Sequence, residues 1–275
     1  MTHMNAHEHA DNTGKPVVEL QNISVDYKLP GGGKFHAVRG VDLQLHTGEV
    51  LGLVGESGCG KSTIAKTISG LEPVTGGTLT YQGRPVQPLG IRKRSREALG
   101  IQMVFQNPYA SLNPRRRVGD LIADGLRISQ DTSAWDVTSL LRAVELEPSA
   151  VRRYPHQFSG GQRQRIAIAR ALASSPDVLI GDEPIASLDA SLQSKLAELM
   201  RDLALETGAA LLFISHDLSV VRVIADRVAV MREGLIVESG ETESVWNAPA
   251  RAYTRELIAA IPRADGKRTL PGTGE

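Results

Sequence analysis

The chain has 275 residues, 41% hydrophobic and 23% charged, an ordinary globular composition with apolar side chains enough for one large domain or a core with attached lobes. Lys plus Arg and Asp plus Glu number 31 each, so no global field draws the protein to nucleic acid or anionic lipid. The single cysteine, Cys59, excludes an internal disulfide and any cysteine-built iron–sulfur or zinc centre.

Residues 1–16 are polar and read as a flexible tail, with metal capture by His3, His7 and His9 as the alternative. No charged-then-apolar leader opens the chain, and apolar stretches such as "AALLFI" (209–214) fall far short of the roughly 20 residues that cross a bilayer. The expected setting is the cytoplasm, with any membrane role supplied by partners. "VVELQNISVDY" and "HAVRGVDLQL", flanking the turn-rich "PGGGK" (30–34), predict an antiparallel hairpin sheet. "EVLGLVG" (49–55) is a nearly continuous apolar run, as a parallel strand buried on both faces requires, and "KSTIAKTISG" (61–70) predicts a helix closed by Gly70.

"GTLTYQG" (77–83) returns to a β pattern, and "IQMVF" (101–105) predicts a second buried strand. The basic runs "RKRSR" (92–96) and "PRRR" (114–117) read first as solvated faces. Helical patterns such as "VGDLIADGLRI" and "AWDVTSLLRAVEL" mark an inserted helical subdomain at about 107–172. "DVLIGD" (177–182) and "AALLFIS" (209–215) predict strands, with a helix at about 190–206 between them. Strand alternating with helix means a parallel sheet with covered faces, hence an α/β fold. After Met231 come a predicted hairpin, "EGLIVESG", and a last helix, "AYTRELIAAI". The main domain is expected at 17–250 and an extension at 251–275.

"GESGCGKST" (55–63) fits the phosphate-loop pattern between a strand and a helix. Glycines allow consecutive backbone N–H groups to face phosphate oxygens, and the helix N-terminus adds roughly half a positive charge. Lys61 is placed to reach the β- and γ-phosphates of a nucleotide, and the Ser62 hydroxyl to ligate Mg²⁺. Asp182 and Glu183 end an apolar strand; the first acid suits Mg²⁺ and the second can activate water, which favours hydrolysis over kinase chemistry. His216 follows the next strand, in "FISHD". Cys59 lies beside Lys61 and a helix start, a setting that suggests a lowered thiol pKa, although its backbone N–H suffices for phosphate binding.

Together, "GESGCGKST", "VFQ" (104–106), "FSGGQ" (158–162), "LIGDEP", "ASLD" (186–189) and "SHD" resemble, in order and spacing, the ATP-binding-cassette ATPases. The resemblance implies a phosphate-loop NTPase fold with a RecA-like parallel-sheet core, an antiparallel β subdomain and the inserted helical subdomain. It implies that Tyr27 stacks on adenine and that Gly55, Ser57, Gly58, Cys59, Gly60, Lys61, Ser62 and Thr63 wrap the phosphates. Gln106 would touch Mg²⁺, Asp182 would hold it through water, Glu183 would act as general base and His216 would contact the γ-phosphate. Asp189 would lie in the loop linking two active sites. Ser159, Gly160, Gly161 and Gln162 would form a second anion-binding helix start, whose phosphate belongs to the partner cassette. Phe158 stands where leucine is commoner, and Ala186-Ser187 exchange the usual small residues.

"NPYASLNPRRRVGDLI" (107–122) and "NAPARAYTRELIAAIP" (247–262) resemble the peptide and nickel importer branch, with Arg251 and Ala252 replacing a usual His-Pro. Without a cysteine-rich extension, the chain resembles the second ATPase type of such systems. That implies a partner ATPase, identical or different, and two transmembrane permease subunits, with an extracytoplasmic substrate-binding protein acting indirectly. It also implies peripheral attachment to the cytoplasmic face of the inner membrane and no nucleic-acid partner. A cassette ATPase of DNA repair or translation is the alternative class, and a nucleotide kinase a third.

Overall fold

A computed structural model describes residues 14–88, 97–129, 135–186 and 188–261. The histidine-bearing tail through residue 13, the "RKRSR" run, Ser187 and the end of the extension lie outside the described residues. In chain order, the first half contains strands β1 (Val18–Leu29), β2 (Gly33–Leu45) and β3 (Val50–Val54), helix α1 (Lys61–Ile68), then β4 (Gly76–Tyr81), β5 (Arg84–Pro85) and β6 (Ile101–Phe105). Four helices follow: α2 (Pro108–Ser111), α3 (Val118–Ile128), α4 (Val137–Ala143) and α5 (Gly160–Leu172). The last part alternates as β7 (Val178–Asp182), α6 (Ala190–Glu206), β8 (Ala210–Ile214), α7 (Leu218–Ile224), β9 (Arg227–Arg232), β10 (Leu235–Glu241), α8 (Thr242–Asn247) and α9 (Ala252–Ala259).

The strands form two sheets. One is antiparallel, in the order β2-β1-β4-β5; the other runs β10-β9-β3-β8-β7-β6, parallel except for β10. Side chains along the second sheet alternate between two apolar clusters, as the two-residue period of a strand demands. Val54, Leu179, Leu211, Phe213 and Val230 face α5, α6 and α7, whereas Leu53, Ile180, Leu212, Ile214 and Met231 face α1 and the antiparallel sheet. Both faces are therefore dry, which is why these strands read as continuous apolar runs. Apolar residues of α3, α4 and α5 join the first cluster without a break, so the helical lobe shares its core with the sheet.

Two predicted elements come out differently. "EGLIVESG" supplies only a turn and β10; its mate in the hairpin is β9, which also pairs in parallel with β3. The "AWDVTSLLRAVEL" pattern yields the seven-residue α4, begun by an Asp136–Ser139 capping box and ended where Glu145 takes φ 56°. Among the described residues, no helix is long and apolar enough to cross a membrane.

Candidate active site

Strands β3, β8, β7 and β6 are neighbours in the sheet and run the same way, so their C-terminal ends form one edge. A crevice at that edge is where parallel α/β sheets bind ligands. The loop after β3 enters α1 and is shaped by close packing. Gly55 has φ 148°, and a Cβ there would lie 2.1 Å from the Met231 carbonyl oxygen. Gly60 has φ 112°, and its Cβ would lie 2.4 Å from the Ala37 carbonyl oxygen. Only glycine fits at either place, so β2 and β9 press the loop into shape from behind. Ser57 and Gly58 remain exposed on its outer side.

Lys61 is 4% exposed, and its ammonium donates to the Gly55 and Glu56 carbonyl oxygens at 2.7 and 2.8 Å. The lysine thus braces the loop from within. At the next residue, the Ser62 hydroxyl donates to Asp182 Oδ1 at 2.8 Å. Asp182 is 8% exposed, and burial, with help from the charge of Glu183, pushes its carboxyl above the usual range against the pull of Ser62, Lys66 and Lys61. A hydroxyl and a carboxylate side by side are hard oxygen donors that fit Mg²⁺, which needs only one or two protein oxygens beside phosphate and water. Among the described residues no cluster of three or more His, Cys, Asp or Glu offers a fuller metal cage.

The raised Asp182 pKa has a consequence for stability. A carboxyl whose folded pKa exceeds its unfolded value favours the fold while protonated, and that contribution is lost as pH rises through the folded pKa. At neutral pH the charged side chain therefore burdens the nucleotide-free protein. Asp182→Asn should stabilise it by roughly 0.5–2 kcal/mol, a gain of a few degrees in unfolding midpoint. The gain should shrink as pH falls into the carboxylate range. Thermal denaturation of both proteins across pH checks this; an unchanged or lower midpoint for the variant at neutral pH would contradict it.

Glu183 follows Asp182 in a left-handed backbone conformation, φ 50°, and its N–H donates to the Ile214 carbonyl oxygen at 3.0 Å. Such a conformation costs a non-glycine residue of order 1–3 kcal/mol and is kept where surrounding structure imposes it. The Glu183 carboxylate Oε2 lies 2.5 Å from His216 Nδ1. The end of β7 thus supplies two acids with different partners. The end of β6 supplies Gln106, which is exposed, while the carbonyl oxygen of Phe105 before it accepts from the buried Gln164 side chain of α5 at 3.1 Å.

Tyr27 of β1 lies close to Thr63 and Glu72: burial, with help from Glu72, pushes its phenol up against the pull of Thr63. Directly across the hairpin is Phe35, half exposed and on the same face, an aromatic that the sequence reading passed over. Its signal was the pairing of β1 with β2, visible once the turn is located.

The remaining sequence-predicted residues cap helices. Ser159 caps α5: its hydroxyl accepts from the Gln162 N–H at 3.3 Å, and the Gln162 side chain accepts from the Ser159 N–H at 3.1 Å. Gly160 and Gly161 form the first turn above them. Among the described residues no hydrogen bond or ion pair joins this turn to residues 55–63. Asp189 caps α6, accepting from the Leu192 N–H at 3.0 Å.

Cys59 corrects an expectation. The thiol is 7% exposed, and burial pushes its pKa up despite the nearby Lys61, so the site is not a ready thiolate. Its carbonyl accepts from the Gly234 N–H at 2.9 Å, leaving the backbone as the working part. Cys59→Ser should bind MgATP as the parent does, and the parent thiol should alkylate more slowly than an exposed cysteine, more slowly still with MgATP. A Cys59→Ser protein that folds but fails to bind in a calorimetric titration would show that the sulfur matters.

Residues 38–186 match the ABC transporter family. The oligopeptide transport ATP-binding protein OppF of Lactococcus lactis subsp. lactis (strain IL1403) is 44% identical over 262 residues, covering 92% of this chain and 82% of that protein. The dipeptide transport ATP-binding protein DppF of Lactococcus lactis subsp. cremoris (strain MG1363) is 44% identical over 259 residues, covering 91% and 83%. The glutathione import ATP-binding protein GsiA of Escherichia coli (strain K12) is 44% identical over 269 residues, covering 94% of this chain and 43% of its own length. Among solved structures, cbiO1 from Clostridium perfringens, part of the ABC transporter complex cbiONQ, superposes with a TM-score of 0.71 at 25% identity, covering 86% of this chain and 92% of that one. A post-hydrolysis dimer of the ATP-binding cassette MJ0796 bound to ADP and Pi gives 0.70 at 28% identity, covering 82% and 98%.

Proposed function

The chain belongs to the ABC transporter family, and from that premise we propose that it is the ATP-hydrolysing subunit of an importer for peptide-class substrates, acting as one half of a cassette dimer. The observation that carries the reading is the pair of contacts at the sheet edge, Ser62 with Asp182 and Glu183 with His216, at the mouth of the phosphate loop. Tyr27 would stack on the adenine of ATP. The loop amides from Ser57 to Thr63, on the turn that Gly55 opens, and the Lys61 ammonium would hold its phosphates. Ser62, Asp182 and Gln106 would hold Mg²⁺, which when bound offsets phosphate charge. Glu183 would take a proton from the attacking water, and His216 would steady that carboxylate and contact the γ-phosphate.

Ser159, Gly160, Gly161 and Gln162 belong to the other half-site. Their helix start would cap ATP held by the partner cassette, with Asp189 beside the shared boundary. Two filled sites would close the dimer, and loss of the γ-phosphate would reopen it. The Phe105–Gln164 bond would tie Gln106 to α5, so that motion at the nucleotide reaches the helical lobe and, through it, the permease subunits. The names of the relatives favour peptides over nickel chelates as cargo, and nothing in these likenesses favours repair or translation.

Co-purification tests the assembly. The chain should be recovered with a second cassette ATPase and two polytopic membrane subunits, at the cytoplasmic face of the membrane. ATP hydrolysis should be slow in the isolated chain and rise on reconstitution. Full turnover by a strictly monomeric preparation would overturn the dimer reading, and mass spectrometry of ligand retained by the binding-protein partner would test the peptide class.

A further inference from the structure

The C-terminal extension reaches the phosphate loop. The Glu56 N–H donates to the Tyr253 hydroxyl oxygen at 3.2 Å, across 197 residues of sequence. Tyr253 is 6% exposed, on the first turn of α9, and the Arg232 guanidinium lies 4.7 Å from its ring centre. The turn before α9 is itself anchored. Glu238 of β10 accepts from the Ala250 and Arg251 N–H groups at 2.7 and 3.1 Å, and Arg251 Nε donates to the Val237 carbonyl oxygen at 3.1 Å. Arg255 closes the turn by donating to the Pro249 carbonyl oxygen at 2.8 Å.

The peptide unit between Gly55 and Glu56 is therefore held at both ends. Its carbonyl accepts from Lys61, and its N–H donates to Tyr253. Gly55 precedes that unit with φ 148°, a residue type free to rotate when nothing holds the plane. Rotation would carry away one of the two carbonyl acceptors that position the Lys61 ammonium, leaving only that of Glu56. The Tyr253 ring has only two rotatable side-chain bonds and is buried in the main apolar cluster with Arg232 over it, so it makes a stiff prop.

We propose that Tyr253 is a positioning residue of the nucleotide site, its hydroxyl fixing the Gly55–Glu56 peptide so that Lys61 is set for phosphate and the docked extension supports nucleotide affinity. The inference rests on the ATP-binding reading above. It gives the 251–261 segment a role in this chain's own catalytic site, beyond marking its branch of the family.

The test uses the full chain and Tyr253→Phe, which keeps the ring and its packing but removes the hydroxyl. Calorimetric titration with MgATP should show affinity weakened about two- to tenfold, the usual effect of one hydrogen bond. Hydrogen exchange in the nucleotide-free proteins should show faster exchange at the phosphate-loop segment containing Glu56, with protection of α9 unchanged. Unaltered affinity in Tyr253→Phe overturns the proposal. So does weakened binding accompanied by loss of α9 protection, because the tyrosine would then be a packing residue of the extension. Failure of the parent chain itself to bind MgATP would overturn the ATP-binding reading as well, so the two failures are distinct.

Discussion

Glu183→Gln should hold MgATP and fail to hydrolyse it. The substitution keeps the side chain's shape beside His216 and leaves Lys61 and the Ser62–Asp182 pair untouched. What it removes is a base. Asp182 cannot take over, because it is buried and already accepts from Ser62, whereas Glu183 has its own partner in His216. Loss of a general base typically lowers a rate by about 10²–10⁴-fold, roughly 3–5 kcal/mol of barrier. With a different partner ATPase, the second site could sustain half of the total rate. Single-turnover hydrolysis at this one site is therefore the measurement, with the assembled dimer expected to retain ATP in its closed form. A near-normal single-turnover rate would remove Glu183 from the role.

Much of this site is local in sequence and was legible there. "GESGCGKST" places its lysine and serine by spacing alone, and the apolar run before Asp182 and Glu183 already marks a strand end. Alternation across β3, β7 and β8 follows from the two-residue period, although continuous apolar runs reveal burial and not neighbours. That limit explains what stayed hidden. Nothing near residue 55 shows that Met231 presses on Gly55, or that Ala37 presses on Gly60, since those partners come from β9 and β2. Pairing of β9 with β3 is equally non-local, and so "EGLIVESG" looked like a hairpin by itself.

Cys59 shows the same gap in electrostatic form. Its neighbours in sequence predict a stabilised thiolate, but its burial under distant strands outweighs Lys61. Tyr253 lies within a recognised tail motif, yet its contact with Glu56 exists only after α9 docks on β10. The left-handed backbone of Glu183 is a third case, because the Ile214 carbonyl that receives its N–H arrives with β8. Residue type and spacing state which chemistry is present. Aim and environment come from chain segments brought in by the fold.

The signature turn offers the sharpest separation of folding from function. Gly160 is the first residue of α5, exposed, with no positive φ, and a Cβ built there meets nothing within 4 Å. This chain's own fold therefore does not require glycine at that place, in contrast to Gly55. Glycine in a helix costs roughly 0.5–1 kcal/mol relative to alanine, and an acid in the first turn gains about 0.3–1 kcal/mol from the helix dipole. Gly160→Asp should therefore fold with equal or greater stability, up to about 2 kcal/mol by those two terms. Its isolated chain should bind MgATP normally, because the turn makes no bond to residues 55–63. In the assembled transporter the new carboxylate would face the γ-phosphate held by the partner cassette. Like charges brought together in an interface cost several kcal/mol, so hydrolysis at the partner's site should fall about 10²-fold or more. Unfolding midpoint, nucleotide affinity of the isolated chain and single-turnover hydrolysis after reconstitution separate these effects. Undiminished hydrolysis by the reconstituted variant would mean that the turn caps no phosphate, and the requirement for glycine would have to lie elsewhere.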